Sequence, residues 1–260
     1  MNLEDWTLTT AGGIAEMALN RPPRMNAQRS QTFRELQSIF DAVEADRSVR
    51  VVLLRSEGKA FSAGADLKEY AEIVKDAAAF AEFQKSGLAA YRRLSRSPLP
   101  VVVAIQGHAL GGGLELALHG DILLAAENAM LGLPEPKIGL IPGGGGAAIL
   151  LQELGALRAA SLLLTGEPVS AGQAFSMGVV SEVVAPDRLV ARAREVAGRI
   201  AANSPTAVKA LKRLIAERRR GVEAAESREA SLLLEVFESE DAKEGIRAFA
   251  EKRPPVFRKE

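Results

Sequence analysis

Residues 99–127 read LPVVVAIQGHALGGGLELALHGDILLAAE, and the fold class turns on how this stretch divides. LPVVVAIQ (99–106) is a short apolar run rich in valine without polar alternation, the pattern of a strand buried on both faces. DILLAAE (121–127) has the same character. Between them stand three consecutive glycines, Gly111 to Gly113, and then an apolar run holding a single carboxylate, Glu115. Short buried strands that alternate with helical segments imply an α/β fold with parallel pairing.

The flanks extend the pattern. Residues 6–10 and 14–19 alternate around AGG and predict an opening hairpin. In 30–49, Phe33, Leu36, Ile39, Phe40 and Val43 recur at helical spacing, with Ser30 placed to cap the helix. VRVVLLRS (49–56) reads as another buried strand, GKAFSAGAD (58–66) as a glycine-bearing loop and 67–97 as mostly helical. From about residue 186 the pattern is almost wholly helical, broken at Ser204-Pro205. The expected organisation is an α/β core over 1–190 followed by a helical region over 191–260, of the kind that often makes subunit contacts.

Composition narrows the function classes. The 260 residues are 47% hydrophobic and 25% charged, as expected of a soluble globular chain with one large core. Lys+Arg and Asp+Glu both number 33, so no global charge draws the chain to nucleic acid or anionic membrane, and an anionic ligand must be held locally. Cysteine is absent and there are only two histidines, His108 and His119, which excludes disulfides and thiolate chemistry and argues against a His-rich metal site. MNLEDWTLTT has neither a basic segment nor an apolar one, and no window reaches the roughly 18 apolar residues of a membrane span. The expectation is a cytoplasmic protein with no membrane partner.

The glycine clusters do not match two familiar phosphate motifs. GHALGGG lacks the G-x-G-x-x-G spacing, and PGGGGAAIL (142–150) lacks the Lys-Ser/Thr that closes a phosphate loop. A helix starting near Gly112 would instead offer unpaired N–H groups to a ligand oxygen, with no Cβ in the way. Glu115, three residues on, fits a capping box when taken alone. Its small and apolar neighbours also predict desolvation, which alters proton affinity and marks functional sites. Glu135, held between Pro134 and Pro136 in LGLPEPKIGLIPGGGG (131–146), is a second candidate, a stiff loop being suited to a positioned acid or base.

AFSAGADLKE (60–69), GHALGGGLELALHGDILLA (107–125) and LPEPKIGLIPGGGG (133–146), in this order and spacing, closely resemble the crotonase, or enoyl-CoA hydratase/isomerase, superfamily. LNRPPRMNA (19–27) and GEPVSAGQAFSMGVVSEVV (166–184) fit as well, so the resemblance covers essentially the whole chain. It implies an α/β spiral of β-β-α units, with C-terminal helices that assemble homotrimers, commonly paired into hexamers. It implies an acyl-CoA thioester substrate, whose enolate oxygen the backbone amides of Ala65 and Gly112 would stabilise. Glu115 and Glu135 match the two acids of family hydratases, Glu115 as the partner that activates water and Glu135 as the proton donor to C2. CoA would lie along 60–67 near Ala63, Asp66 and Leu67, with Arg24 near its phosphates and Lys252 reaching the nucleotide phosphate of a neighbouring subunit. No cofactor is implied, coenzyme A being part of the substrate.

The chain departs from the family after the second glycine cluster, where AAIL (147–150) replaces a Thr-Gln-Arg-Leu type segment. That bears on substrate choice more than on chemistry. His108 is expected to be packed or to support the site indirectly, and His119 to lie on a helix surface. KALKRLIAERRR (209–220) is followed by an acidic stretch, which favours a solvated helical face over nucleic-acid binding. Hydration of a 2-enoyl-CoA is the leading expectation. The alternatives are an enoyl-CoA isomerase or other crotonase chemistry and, from another class, a non-catalytic acyl-CoA or macromolecule binder.

Overall fold

The computed structural model describes residues 2–256, apart from the side chains of Leu67, 218–225 and Arg228. In chain order the elements are β1 (Trp6–Ala11), β2 (Ile14–Leu19), α1 (Ser30–Ala45), β3 (Val51–Ser56), α2 (Leu67–Ile73), α3 (Ala77–Arg96), β4 (Val101–Ile105), β5 (His108–Leu110), α4 (Gly112–Leu118), β6 (Ile122–Ala126) and β7 (Met130–Gly132). They continue with α5 (Gly146–Leu154), α6 (Ala156–Thr165), β8 (Val169–Ser170), α7 (Ala171–Met177), β9 (Glu182–Val184), α8 (Leu189–Ala202), α9 (Pro205–Phe237) and α10 (Glu240–Ala250).

Two sheets result. The larger runs β1-β2-β3-β4-β6-β9, antiparallel only at the opening hairpin, with Ile14 paired to Val51, Val52 to Val101 and Val102 to Ile122. The smaller runs β5-β7-β8, with β5 and β7 parallel. Successive turns of the chain give one strand to each sheet and then a helix, as in β4-β5-α4 and β6-β7-α5. An isolated parallel bridge from Ser62 to Ala109 adds the loop after β3 to the same series. This is the spiral of β-β-α units that the resemblance implied, and a C-terminal helical region follows it.

Strand alternation explains the continuous apolar runs. Val52, Leu54, Val101, Val103 and Ile105 face the main core, while Val51, Leu53, Val102 and Ala104 face the other side. That second side is covered by α8, whose Leu189, Ala193, Ala197 and Ala201 recur every fourth residue as a seam of mostly small side chains set against the strands. Truncating a leucine such as Leu53 here would cost about 2–5 kcal/mol.

One local expectation is corrected. Ser30 does not cap α1; it is the first helical residue, and its N–H donates to Glu69 Oε2 at 2.9 Å. Arg29 holds the cap position, with its N–H donating to Thr32 Oγ1 at 3.1 Å. A carboxylate from α2 thus meets one of the free amides at the start of α1.

Candidate active site

The three glycines after β5 are needed for space as much as for flexibility. Gly111 has φ +52°, and a Cβ there would lie 2.8 Å from Glu135 Oε1. A Cβ on Gly113 would lie 2.4 Å from the Ser62 carbonyl oxygen, because the loop after β3 crosses directly over the start of α4. Gly112, the first residue of α4, has the Tyr91 hydroxyl where its side chain would be.

Glu115 is buried in the first turn of this helix, yet it does not cap it. Its Oε1 reaches across to the second glycine cluster and accepts the N–H groups of Gly144 at 2.7 Å and Gly146 at 3.0 Å. Burial pushes its carboxyl up to about 7, the two N–H bonds opposing the rise and the nearby Glu226 charge adding to it.

Glu135 opens a 3-10 turn, Glu135–Ile138, that follows Pro134 and ends on Gly139 in the left-handed region. Helix α10 presses on this turn closely enough that a Cβ on Gly245 would lie 2.3 Å from the Ile138 carbonyl oxygen. The residue is half-buried, but its Oε2 is sealed from water and has no hydrogen-bond partner among the described residues. Burial, and then the charge of Glu115, pushes its carboxyl up to about 8. An orphaned acid oxygen of this kind costs about 1–3 kcal/mol or more, a cost that a bound ligand or water offsets.

Both carboxyl groups face one cavity of about 690 Å³. A buried chain of polar groups runs along its wall. Tyr91 O–H donates to Gln28 Oε1 at 2.6 Å, and Gln28 Nε2 donates to Ser62 Oγ at 3.0 Å and to the Gly112 carbonyl at 3.2 Å. Two residues of this wall also carry unbonded backbone amides. Gly111 N–H is used by the Gly132 carbonyl and Asp66 N–H by the Gln28 carbonyl, whereas the N–H groups of Ala65 and Gly112 have no partner among the described residues. The loop and helix that carry them adjoin, since a Cβ on Gly64 would lie 3.5 Å from the Gly112 nitrogen.

Paired acids and free amides in one apolar cavity suit proton transfer beside a developing oxyanion. Residues 9–260 match the family described as enoyl-CoA hydratase/isomerase. The chain belongs to that family. It is 40% identical to a probable enoyl-CoA hydratase of Bacillus subtilis (strain 168), over 95% of this chain and 96% of that protein. It is 36% identical to a short-chain-enoyl-CoA hydratase of Clostridium acetobutylicum, over 97% of each. The crystal structure of an enoyl-CoA hydratase/isomerase from Pseudoalteromonas atlantica T6c superposes with a TM-score of 0.86 at 30% identity, covering 98% of this chain and all of that one.

Most residues singled out by enoyl-CoA hydratase/isomerase resemblance meet at the cavity. Glu115, Glu135, Ala65, Gly112, Ala63, Asp66 and Arg24 all line it. Asp66, however, is already engaged: it pairs with Arg21 at 2.8 Å and accepts the Lys68 N–H at 3.1 Å, capping α2. Exposed Arg24 stands at the mouth. Lys252 lies past the end of α10, outside the cavity wall of its own chain, and the side chain of Leu67 falls outside the described residues.

Both histidine expectations are corrected. His108 is exposed, because the alternation of β5 turns Ala109 inward and His108 out. His119 is fully buried, because α4 ends at Leu118 and turns the ring toward the Gly144 carbonyl, 3.0 Å from Nε2, and toward Ser95 Oγ, 3.3 Å from Nδ1. The sequence reading missed Tyr91, Gln28 and Glu229. They carried no local signal, since they come from α3, the segment before α1, and α9, and reach the site only through the fold.

Proposed function

We propose that this protein is an enoyl-CoA hydratase, adding water across the 2,3 double bond of a 2-enoyl-CoA thioester to give the 3-hydroxyacyl-CoA. The observation that carries this is the asymmetry of the two acids. Glu115, with two N–H donors on one oxygen, is the better supported anion and takes a proton from water as its oxygen bonds to C3. The electron pair of the double bond moves onto the thioester oxygen, which the Ala65 and Gly112 amides receive, and Glu135, without such support, gives its proton to C2. The two acids end with the proton on the opposite partner and re-equilibrate through solvent. Each amide donor contributes on the order of 3 kcal/mol to the transition state. This chemistry calls for no cofactor.

CoA would enter past Arg24 and lie along 60–67 near Ala63, Asp66 and Leu67. Exposed Leu157, Leu164, Phe175, Leu211 and Leu214 favour burial against further copies, in keeping with a homotrimer or a dimer of trimers, where Lys252 would meet a neighbour's nucleotide phosphate. Among the described residues no helix is long and apolar enough to cross a membrane.

The test is loss of the conjugated thioester absorbance on mixing with crotonyl-CoA, with product identified as 3-hydroxybutyryl-CoA. Glu135→Gln is expected to lower kcat by about 10²- to 10⁴-fold with acyl-CoA binding unchanged. No hydration of any 2-enoyl-CoA, with 3-enoyl-CoA converted instead, would assign isomerase chemistry; binding without either reaction would assign a binder.

A further inference from the structure

We infer that Glu229, on α9 and outside the cavity wall, is the positioning residue that sets the carboxylate of Glu115. The inference rests on the proposed role of Glu115. Glu229 is 6% exposed, and its two oxygens accept the N–H groups of Gly145 at 2.9 Å and Ala148 at 2.7 Å. The N–H groups between and beside these, Gly144 and Gly146, are the two that hold Glu115 Oε1. The glycine turn is therefore gripped by two buried acid side chains, Glu115 on the amides of 144 and 146 and Glu229 on those of 145 and 148. Gly145, at φ +93°, provides the left-handed step that sends successive N–H groups in different directions.

The socket is completed from α3, from α9 and from the residue that follows α4. His119 Nε2 meets the Gly144 carbonyl, and the Arg92–Glu226 pair, at 2.6 Å, stands behind, with Glu226 Oε1 3.1 Å from where a Gly145 Cβ would lie. Four glycines in a row, Gly143 to Gly146, have no intrinsic preference for this conformation and lose much chain entropy in holding it. Burying Glu229 is costly unless its oxygens are bonded, and the turn is where they are bonded. Removing its carboxylate leaves two buried donors unmet and lets the turn relax, and the donors of Glu115 move with it. A displacement of about 1 Å at a reacting group costs on the order of 100-fold in rate.

The experiment compares Glu229→Ala, Glu229→Gln and Glu115→Gln, each assayed for crotonyl-CoA hydration and for binding of butyryl-CoA, a saturated thioester that cannot be hydrated. The expected order of kcat is wild type, then Glu229→Gln, then Glu229→Ala at about 100-fold below wild type, with the butyryl-CoA Kd constant within about threefold. Gln still accepts one N–H bond, so it rescues in part. Wild-type kcat in Glu229→Ala, or equal losses of kcat and binding, overturns the inference. Should Glu229→Ala fail to fold, Glu229→Gln decides alone: about a tenfold fall in kcat at constant Kd is expected, and an unchanged kcat overturns. If Glu115→Gln keeps wild-type turnover, it is the role of Glu115 itself that fails.

Discussion

Glu135 Oε1 and Gly111 share one small volume: a Cβ on Gly111 would sit 2.8 Å from that oxygen, in a backbone conformation, φ +52°, that already disfavours a side chain. The helix that presents the Gly112 amide and the turn that presents the acid are thus registered against each other by the missing side chain. Gly111→Ala is expected to displace the Glu135 carboxyl and lower kcat by on the order of 100-fold while butyryl-CoA still binds. Wild-type kcat in that variant, measured by the crotonyl-CoA absorbance assay, would remove the steric link between the two residues.

Burial pushes the carboxyls of Glu115 and Glu135 up to about 7 and about 8, so the rate should follow a narrow bell in pH. In the proposed mechanism, activity needs the first proton lost, from Glu115, and the second kept, on Glu135. We expect kcat/KM for crotonyl-CoA to rise toward neutrality and fall above about pH 8, and Glu135→Gln to abolish the falling limb in its residual activity. A flat profile between pH 6 and 9 would contradict the assignment.

The same elevation has a consequence for stability. Glu135 binds its proton more tightly when folded, about 8 against the ordinary 4.5, so its contribution is fully present below about pH 4.5 and is lost as pH rises toward 8. Across that window the loss is at most about 1.4 kcal/mol for each pH unit. Glu135→Gln cannot ionise, and its Tm should exceed that of the wild type by several degrees at pH 9 while differing little at pH 5. Thermal melts at the two pH values check this; an equal difference at both would mean that Glu135 carries no such burden.

The cavity wall also predicts which acyl groups are accepted. Its described cations, Arg24 and Lys68, both stand near Asp66, whereas the wall formed by Phe33, Phe83, Tyr70 and Tyr91 is aromatic, with Phe33 and Phe83 centroids 5.1 Å apart. An acyl chain that runs among these rings and ends in a carboxylate would leave that charge unpaired. We expect kcat/KM for 2-hexenoyl-CoA to exceed that for 2,3-dehydroadipyl-CoA, which has the same six-carbon backbone with a terminal carboxylate, by at least about tenfold. Equal values would place a cation at the acyl end.

Much of this organisation can be read along the chain because its cause is local. Buried strands show as unbroken apolar runs such as Val101–Ile105, and α1 shows its inward face in Phe33, Leu36, Ile39, Phe40 and Val43, since side-chain direction follows the backbone period. The motifs around Gly111 to Gly113, Glu115 and Glu135 are likewise contiguous, so the family and the pair of acids were visible before any contact was known. The placement of His108 and His119 is not legible in this way, because exposure at a strand edge or a helix end depends on what packs there.

An α/β class and a helical C-terminal region are legible in periodicity alone, and the order of the glycine motifs carries the family resemblance that implies the spiral and points to the two glutamates, since all of these are properties of neighbouring residues. It takes the folded chain to show that Glu115 is held by Gly144 and Gly146 rather than capping its own helix, that one oxygen of Glu135 has no partner among the described residues, and that Glu229 grips the same glycine turn from α9. Those contacts join residues from 29 to 84 positions apart, where hydrogen bonding is set by packing and leaves no trace in the local pattern.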